Sequence, residues 1–179
     1  MKIKNVGFIG LGAMGSVMAP LIDKAGYNVF GYDLHTKIDK SSGIKQISNI
    51  RNLINLDVII FMLPDGKIVA DVTDKLLQNN TKSILIDMSS SDPRDTKQLG
   101  KKLKIKNVKF LDAPVSGGVS RAKIGKLMIM TGGNEDHIES VQELLSVMGK
   151  VQYAGPLGSG HAIKAVSYTH LTLPTKQDV

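Results

Sequence analysis

The stretch Val6-Gly7-Phe8-Ile9-Gly10-Leu11-Gly12-Ala13-Met14-Gly15 constrains this chain more than any other, because it sets a G-x-G-x-x-G turn directly behind an apolar run. Strand, glycine turn and helix in that order suit a dinucleotide pyrophosphate. Gly10 permits the tight turn, Gly12 lets backbone approach the phosphates, and Gly15 lets helix and strand pack closely. The helix start offers N–H groups without intrahelical partners and the positive end of its dipole. Gly10, Leu11, Gly12, Ala13, Met14 and Gly15 are therefore the candidate cofactor loop. A second strand over Tyr27–Tyr32 ends at Asp33, 21 positions beyond Gly12, where a Rossmann unit carries the acid that bonds a ribose 2′-OH. The bland alternative is a structural βαβ turn that binds nothing.

The rest of the chain keeps the same rhythm. Apolar runs at Asp57–Leu63, Ser83–Met88, Val108–Asp112 and Lys126–Thr131 read as short buried strands, with Lys150–Tyr153 as another. Between them lie helix-like segments. One carries Ile68, Val69, Val72 and Leu76 on a single inward stripe. Asp92-Pro93 reads as an N-cap with proline at the first helical position, and Asn134 as the cap of a helix that buries Ile138, Val141, Leu144, Leu145 and Met148. Alternation of this kind predicts an α/β fold with a doubly wound, mostly parallel sheet. Pro20 falls inside the first helix and predicts a kink there or an early end.

Composition narrows the function classes. With 179 residues the chain holds one sizeable domain, and no apolar run reaches the length of a membrane span. Without cysteine there is no disulfide framework or thiolate metal site, and histidines 35, 137, 161 and 170 lack ligand spacing, so no metal is expected. His161 could touch a substrate but reads better as a helix-surface histidine. The strand starts at the N-terminus at once, leaving no room for a signal peptide, and a cytoplasmic protein is expected. The net charge of +7 could mark a nucleic-acid binder, but the lysines are scattered and aromatics make up only 4%. A solvated lysine-rich surface, which would also draw in an anionic cofactor and a carboxylate, is the preferred reading, with no nucleic acid and no membrane as partner.

Four blocks, in order, resemble the 3-hydroxyisobutyrate dehydrogenase family of β-hydroxyacid dehydrogenases. They are Gly7–Gly15, then Met62-Leu63-Pro64, then Asp112-Ala113-Pro114-Val115-Ser116-Gly117-Gly118, and last Gly158-Ser159-Gly160 with Lys164. The third is the most specific. The resemblance implies that Ser116, Gly117 and Gly118 hold the substrate carboxylate, where a hydroxyl and consecutive N–H groups would form a small anion nest. It implies that Leu63 and Pro64 line the nicotinamide side of the cleft and that Ser90 contacts the nucleotide. Lys164 would be the catalytic acid/base, a role that requires desolvation or a cationic neighbour to lower its pKa. The plain alternatives are a flexible Ser-Gly-Gly turn and a surface lysine.

The implied reaction is hydride transfer between NAD and a small β-hydroxy acid or its semialdehyde. Tartronate semialdehyde reduction, a 6-phosphogluconate dehydrogenase type of enzyme and a nucleotide-binding module without turnover are the alternatives. Asp33, with no arginine in Leu34-His35-Thr36, points to NAD rather than NADP, although Lys37 could meet a phosphate. The expected layout is a Rossmann domain over 1–157, the start of an interdomain helix over 158–166, and a non-native disordered tail over 167–179. Where the family pattern has an asparagine pair after the lysine, this chain has Ser167 and Tyr168. Full-length relatives are expected to form homo-oligomers through an all-helical domain that this chain lacks.

Overall fold

The computed structural model describes residues 2–39, 42–77 and 81–171. Its centre is a sheet whose apolar strands are buried on both faces. The strands are β1 (Asn5–Ile9), β2 (Asn28–Tyr32), β3 (Lys45–Gln46), β4 (Val58–Phe61), β5 (Ile84–Asp87), β6 (Lys109–Asp112), β7 (Val115–Ser116), β8 (Leu127–Gly132) and β9 (Gly149–Gly155). The helices are α1 (Gly15–Lys24), α2 (Gly66–Leu76), α3 (Pro93–Ile105), α4 (Gly118–Lys123), α5 (Glu135–Ser146) and α6 (Ser159–Leu171). The strand order β3-β2-β1-β4-β5-β6-β8-β7, with β9 on β8, is parallel from β3 to β6. Strand β8 runs antiparallel to β6 and β7, and parallel to β9. The sheet is thus mostly parallel and of Rossmann type.

Period-2 alternation divides each strand between two cores. Val6, Phe8, Val58, Ile60, Ile84 and Ile86 pack on one face. Ile9, Ile59, Phe61, Leu85 and Phe110 pack on the other. Each of these side chains removed from water contributes about 1.5–3 kcal/mol before conformational entropy is subtracted. The register aligns Ile9 with Tyr32 and Phe61, Phe61 with Asp87, and Asp87 with Asp112. Residues that follow these five positions therefore form one rim along the carboxyl ends of the strands, with the order reversing between β1 and β4.

The expected caps form. Asp92 accepts from Arg94 N at 2.8 Å, and Asn134 accepts from His137 N at 3.2 Å. Four local expectations change. Helix α1 does not stop at Pro20 but runs on to Lys24, and the unmatched Ser16 carbonyl lies on an exposed residue that water can serve. On α2 the buried stripe is Val69, Thr73 and Leu76, while Ile68 and Val72 turn toward the cleft above the sheet. The short α4 and β3 carry no strong periodic signal and were not anticipated. The tail expected over 167–179 overlaps α6, which continues through 167–171, with Ser167 Oγ donating to Ile163 O at 3.0 Å. No glycine or proline lies within 167–171, so nothing local halts the helix there. Positions 172–179 lie outside the described residues.

Gly100 shows how the fold seats the segment leading into α6. A Cβ at this position of α3 would strike Leu157 Cδ2. Alanine is normally worth about 1 kcal/mol over glycine inside a helix. Here Gly100→Ala is expected to destabilise by about 1 kcal/mol, because the half-buried Leu157 must leave its packed rotamer to admit the methyl, which costs more than the propensity gain. A urea midpoint equal to or above that of the parent chain would refute this.

Candidate active-site cleft

The glycine turn is built by close backbone approach. Gly10 has φ +95°, donates its N–H to Tyr32 O at 3.0 Å, and would place a Cβ on the Met62 carbonyl. A Cβ on Gly15 would strike the Gly10 carbonyl, so the start of α1 can sit against the end of β1 only without side chains there. Gly12 differs: nothing lies within 4 Å of its would-be Cβ. Its bare face opens on the cleft rather than on protein. No side chain caps α1; the N–H groups of Ser16 and Val17 turn back onto the Gly12 and Met14 carbonyls, so an anion would meet the N–H groups of the turn before them.

Asp33 closes β2 and takes three backbone donors. Leu11 N reaches Oδ2 at 2.7 Å, and His35 N and Thr36 N both reach Oδ1 at 2.8 Å. Burial alone raises the carboxyl, but these donors outweigh it and hold the group below the usual Asp value. The Thr36 side chain adds a further hydrogen bond to the carboxylate, and Asp33 lines the cleft as an anionic acceptor. Leu11 therefore enters the site through its backbone, as the tie between the glycine turn and Asp33.

A cleft of about 700 Å³ runs along this rim. Gly10, Gly12, Ala13, Met14 and Gly15 wall one end, together with Asp33. Leu63, Pro64 and Ser90 line its middle, and Gly118 and Lys164 stand at the far end. Leu63 is placed by its N–H, which donates to Ser89 Oγ at 2.9 Å. Gly117 and Gly118 have φ +129° and +65°, conformations that favour glycine. Of the Ser-Gly-Gly run only Gly118 reaches the wall, flanked by Val115 and Val119; Ser116 is exposed just outside it.

Lys164 lies in the second turn of α6, and its Nζ donates to Ser90 Oγ at 2.7 Å. Ser90, expected to touch nucleotide, thus also holds the amine. Burial pushes the Lys164 amine below the ordinary lysine value, while the charge of Asp87 pulls it back in part. Such an amine exchanges protons at a lower pH than a surface lysine.

Sequence reasoning missed what lies beneath. His161 is not on the helix surface but 2% exposed. The signal was available: β5 and β6 are apolar strands that each end on an aspartate, Asp87 and Asp112. Asp112 accepts from Gly158 N at 2.6 Å and from His161 N at 2.9 Å, which anchors the first turn of α6. Burial raises the Asp112 carboxyl, with those two donors acting against it.

The NAD binding domain of 6-phosphogluconate dehydrogenase matches residues 5–158. The mitochondrial 3-hydroxyisobutyrate dehydrogenase of Mus musculus is 40% identical over 168 residues, 89% of this chain and 50% of its own length. The 2-(hydroxymethyl)glutarate dehydrogenase of Eubacterium barkeri is 36% identical, over 93% of this chain and 58% of its own. The structure of Mycobacterium tuberculosis 3-hydroxyisobutyrate dehydrogenase with L-serine superposes with a TM-score of 0.88 at 29% identity, covering 95% of this chain and 60% of that one. The chain spans about half the length of the curated relatives it matches. From its glycine turn to the first turns of α6, it belongs to the 3-hydroxyisobutyrate dehydrogenase family of β-hydroxyacid dehydrogenases and carries that family's NAD-binding domain.

Proposed function

We propose that this chain supplies the cofactor half of an NAD-linked oxidoreductase acting on a small β-hydroxy acid or its semialdehyde, with Lys164 as acid/base. One observation carries the reading. The Lys164 amine, half-buried and hydrogen-bonded to Ser90, faces the same cleft whose other end is the glycine turn. The bare face of Gly12 and the anionic Asp33 on the cleft wall fit a pyrophosphate and a ribose hydroxyl. A nicotinamide bound there would supply or take up the hydride.

The chain's own residues account for the proton. Lys164 as an ammonium donates to the oxygen of a carbonyl being reduced, and as a neutral amine it accepts the proton of an alcohol being oxidised. Ser90 holds Nζ toward the cleft between these events. Ser116, Gly117 and Gly118 would receive the acid's carboxylate beside Val115, so that the carbon bearing the oxygen lies near Lys164. Leu63 and Pro64 would shield the reacting carbon from water.

For the cofactor, Asp33 stays anionic and repels a 2′-phosphate. NADH is expected to bind at least about tenfold more tightly than NADPH, a difference of about 1.4 kcal/mol. Asp33→Ser should narrow that ratio. Fluorescence titration of both dinucleotides against the chain reads it directly, and equal or tighter NADPH binding would overturn the preference. Absorbance assays with a panel of β-hydroxy acids, on a chain extended to the relatives' length, test the reaction. Binding of NADH without turnover of any of them would favour a nucleotide-binding module.

A further inference from the structure

A buried polar cluster lies directly under Lys164, and the chemistry proposed above makes no use of it. His161 sits one helical turn before Lys164, with its ring between two buried carboxylates. Nδ1 is 3.6 Å from Asp112 Oδ2, and Nε2 is 3.9 Å from Asp87 Oδ2. All three side chains are at most 1% exposed. The ring is fixed at both nitrogens, Nε2 with Ser89 O at 3.1 Å and Nδ1 with Thr96 Oγ1 at 2.9 Å. A carbonyl only accepts, so Nε2 carries a proton. Asp87 is tied in turn, accepting from Ser89 N at 2.9 Å and from Ser91 Oγ at 2.6 Å.

We propose that the Asp87–His161–Asp112 cluster positions Lys164, aiming its amine at Ser90 and setting how readily it gives up a proton. The connection is mechanical and electrostatic. Mechanically, the imidazole and the Asp112 carboxylate lock the first turn of α6 to the ends of β5 and β6, and Lys164 is the next residue along that face. A Cβ on Gly160 would strike the Met130 carbonyl, so this turn is pressed onto β8 as well. Electrostatically, Asp87 is the carboxylate whose charge reaches the Lys164 amine. The imidazole lodged between Asp87 and Asp112 separates the two carboxylates and fills space that bulk water would otherwise take. The groups facing His161 are Asp87 from β5, Asp112 from β6, Thr96 from α3 and Lys164 on α6 itself. The Lys97 stem lies over Gly158 at the edge.

The inference rests on Lys164 being the acid/base, so its test reads the amine without turnover. Trace labelling of the 179-residue chain with acetic anhydride across pH, followed by peptide mass spectrometry, gives the proton affinity of each lysine. In the parent chain Lys164 should label at lower pH than exposed Lys24 and Lys123. If it titrates with them, the acid/base reading itself fails. His161→Leu should cut Lys164 labelling near neutral pH by about tenfold, the effect of one pKa unit. His161→Gln, whose amide can donate to Ser89 O and accept from Thr96, should restore most of it. Asp87→Asn should act oppositely and raise the labelling, because it removes the charge that favours the ammonium. A folded His161→Leu chain with an unchanged Lys164 profile would overturn the proposal, as would Asp87→Asn lowering the labelling. If His161→Leu does not fold, the Asp87→Asn and His161→Gln profiles decide by the same signs.

Discussion

Lys164→Met removes turnover by a factor of about 10²–10⁴, the usual contribution of a positioned proton donor, while NADH affinity changes by about threefold at most. Methionine keeps the length and much of the packing of the lysine stem but cannot carry a proton. Lys164→Arg fails almost as badly, because a guanidinium does not deprotonate in this range. The pH dependence follows from the lowered proton affinity of the amine. Alcohol oxidation needs the neutral amine and should rise with pH through the depressed pKa. Carbonyl reduction needs the ammonium and should fall over the same interval. The variant should lose both limbs. Steady-state rates in each direction against pH, on a chain extended to the length of its relatives, provide the measurement. Methionine at 164 with turnover intact would retire the assignment.

Gly10→Ala and Gly12→Ala, two changes in one motif, should separate folding from binding. At Gly10 the new methyl meets the Met62 carbonyl while the backbone is held at φ +95°. Left-handed strain of about 1–2 kcal/mol adds to an overpacking cost of about 1–3 kcal/mol, so a loss of about 3 kcal/mol is expected. The β1–β4 junction would open and NADH binding would go with it. At Gly12 nothing lies within 4 Å, so the chain should unfold at the parent's denaturant midpoint. Yet the methyl would occupy the space a pyrophosphate needs, and NADH affinity should fall about tenfold or more. Urea titrations paired with NADH fluorescence check both. A stable, NADH-competent Gly10→Ala would contradict the account of the turn, and normal binding by Gly12→Ala would contradict the placement of the phosphates.

The features readable in the sequence were those with short-range causes. Apolar runs a few residues long became β1, β4, β5 and β6 because strands buried on both sheet faces are largely hydrophobic, with charge confined to the ends of β5 and β6. Asp92 and Asn134 capped their helices because an N-cap bonds only two or three residues ahead. Helix α4 escaped notice since six residues are too few to show periodicity, and two-residue β3 is held by its pairing with β2 rather than by its own propensity. Ile68 and Val72 looked like core because a helical stripe marks an apolar face without saying whether protein or a cleft lies opposite.

By itself the sequence determined the glycine turn, the acid after β2, the alternation that makes a parallel sheet, and the family blocks with their candidate lysine. Tertiary structure alone decided that Lys164 rests on Ser90, 74 positions away, and that His161 is buried against Thr96, 65 positions away. Sequence spacing carries information about neighbours within a turn or a strand. Contacts across the sheet depend on strand order and register, which bring Asp87 and Asp112 level beneath α6 and turn an ordinary-looking helix histidine into the centre of a charged cluster.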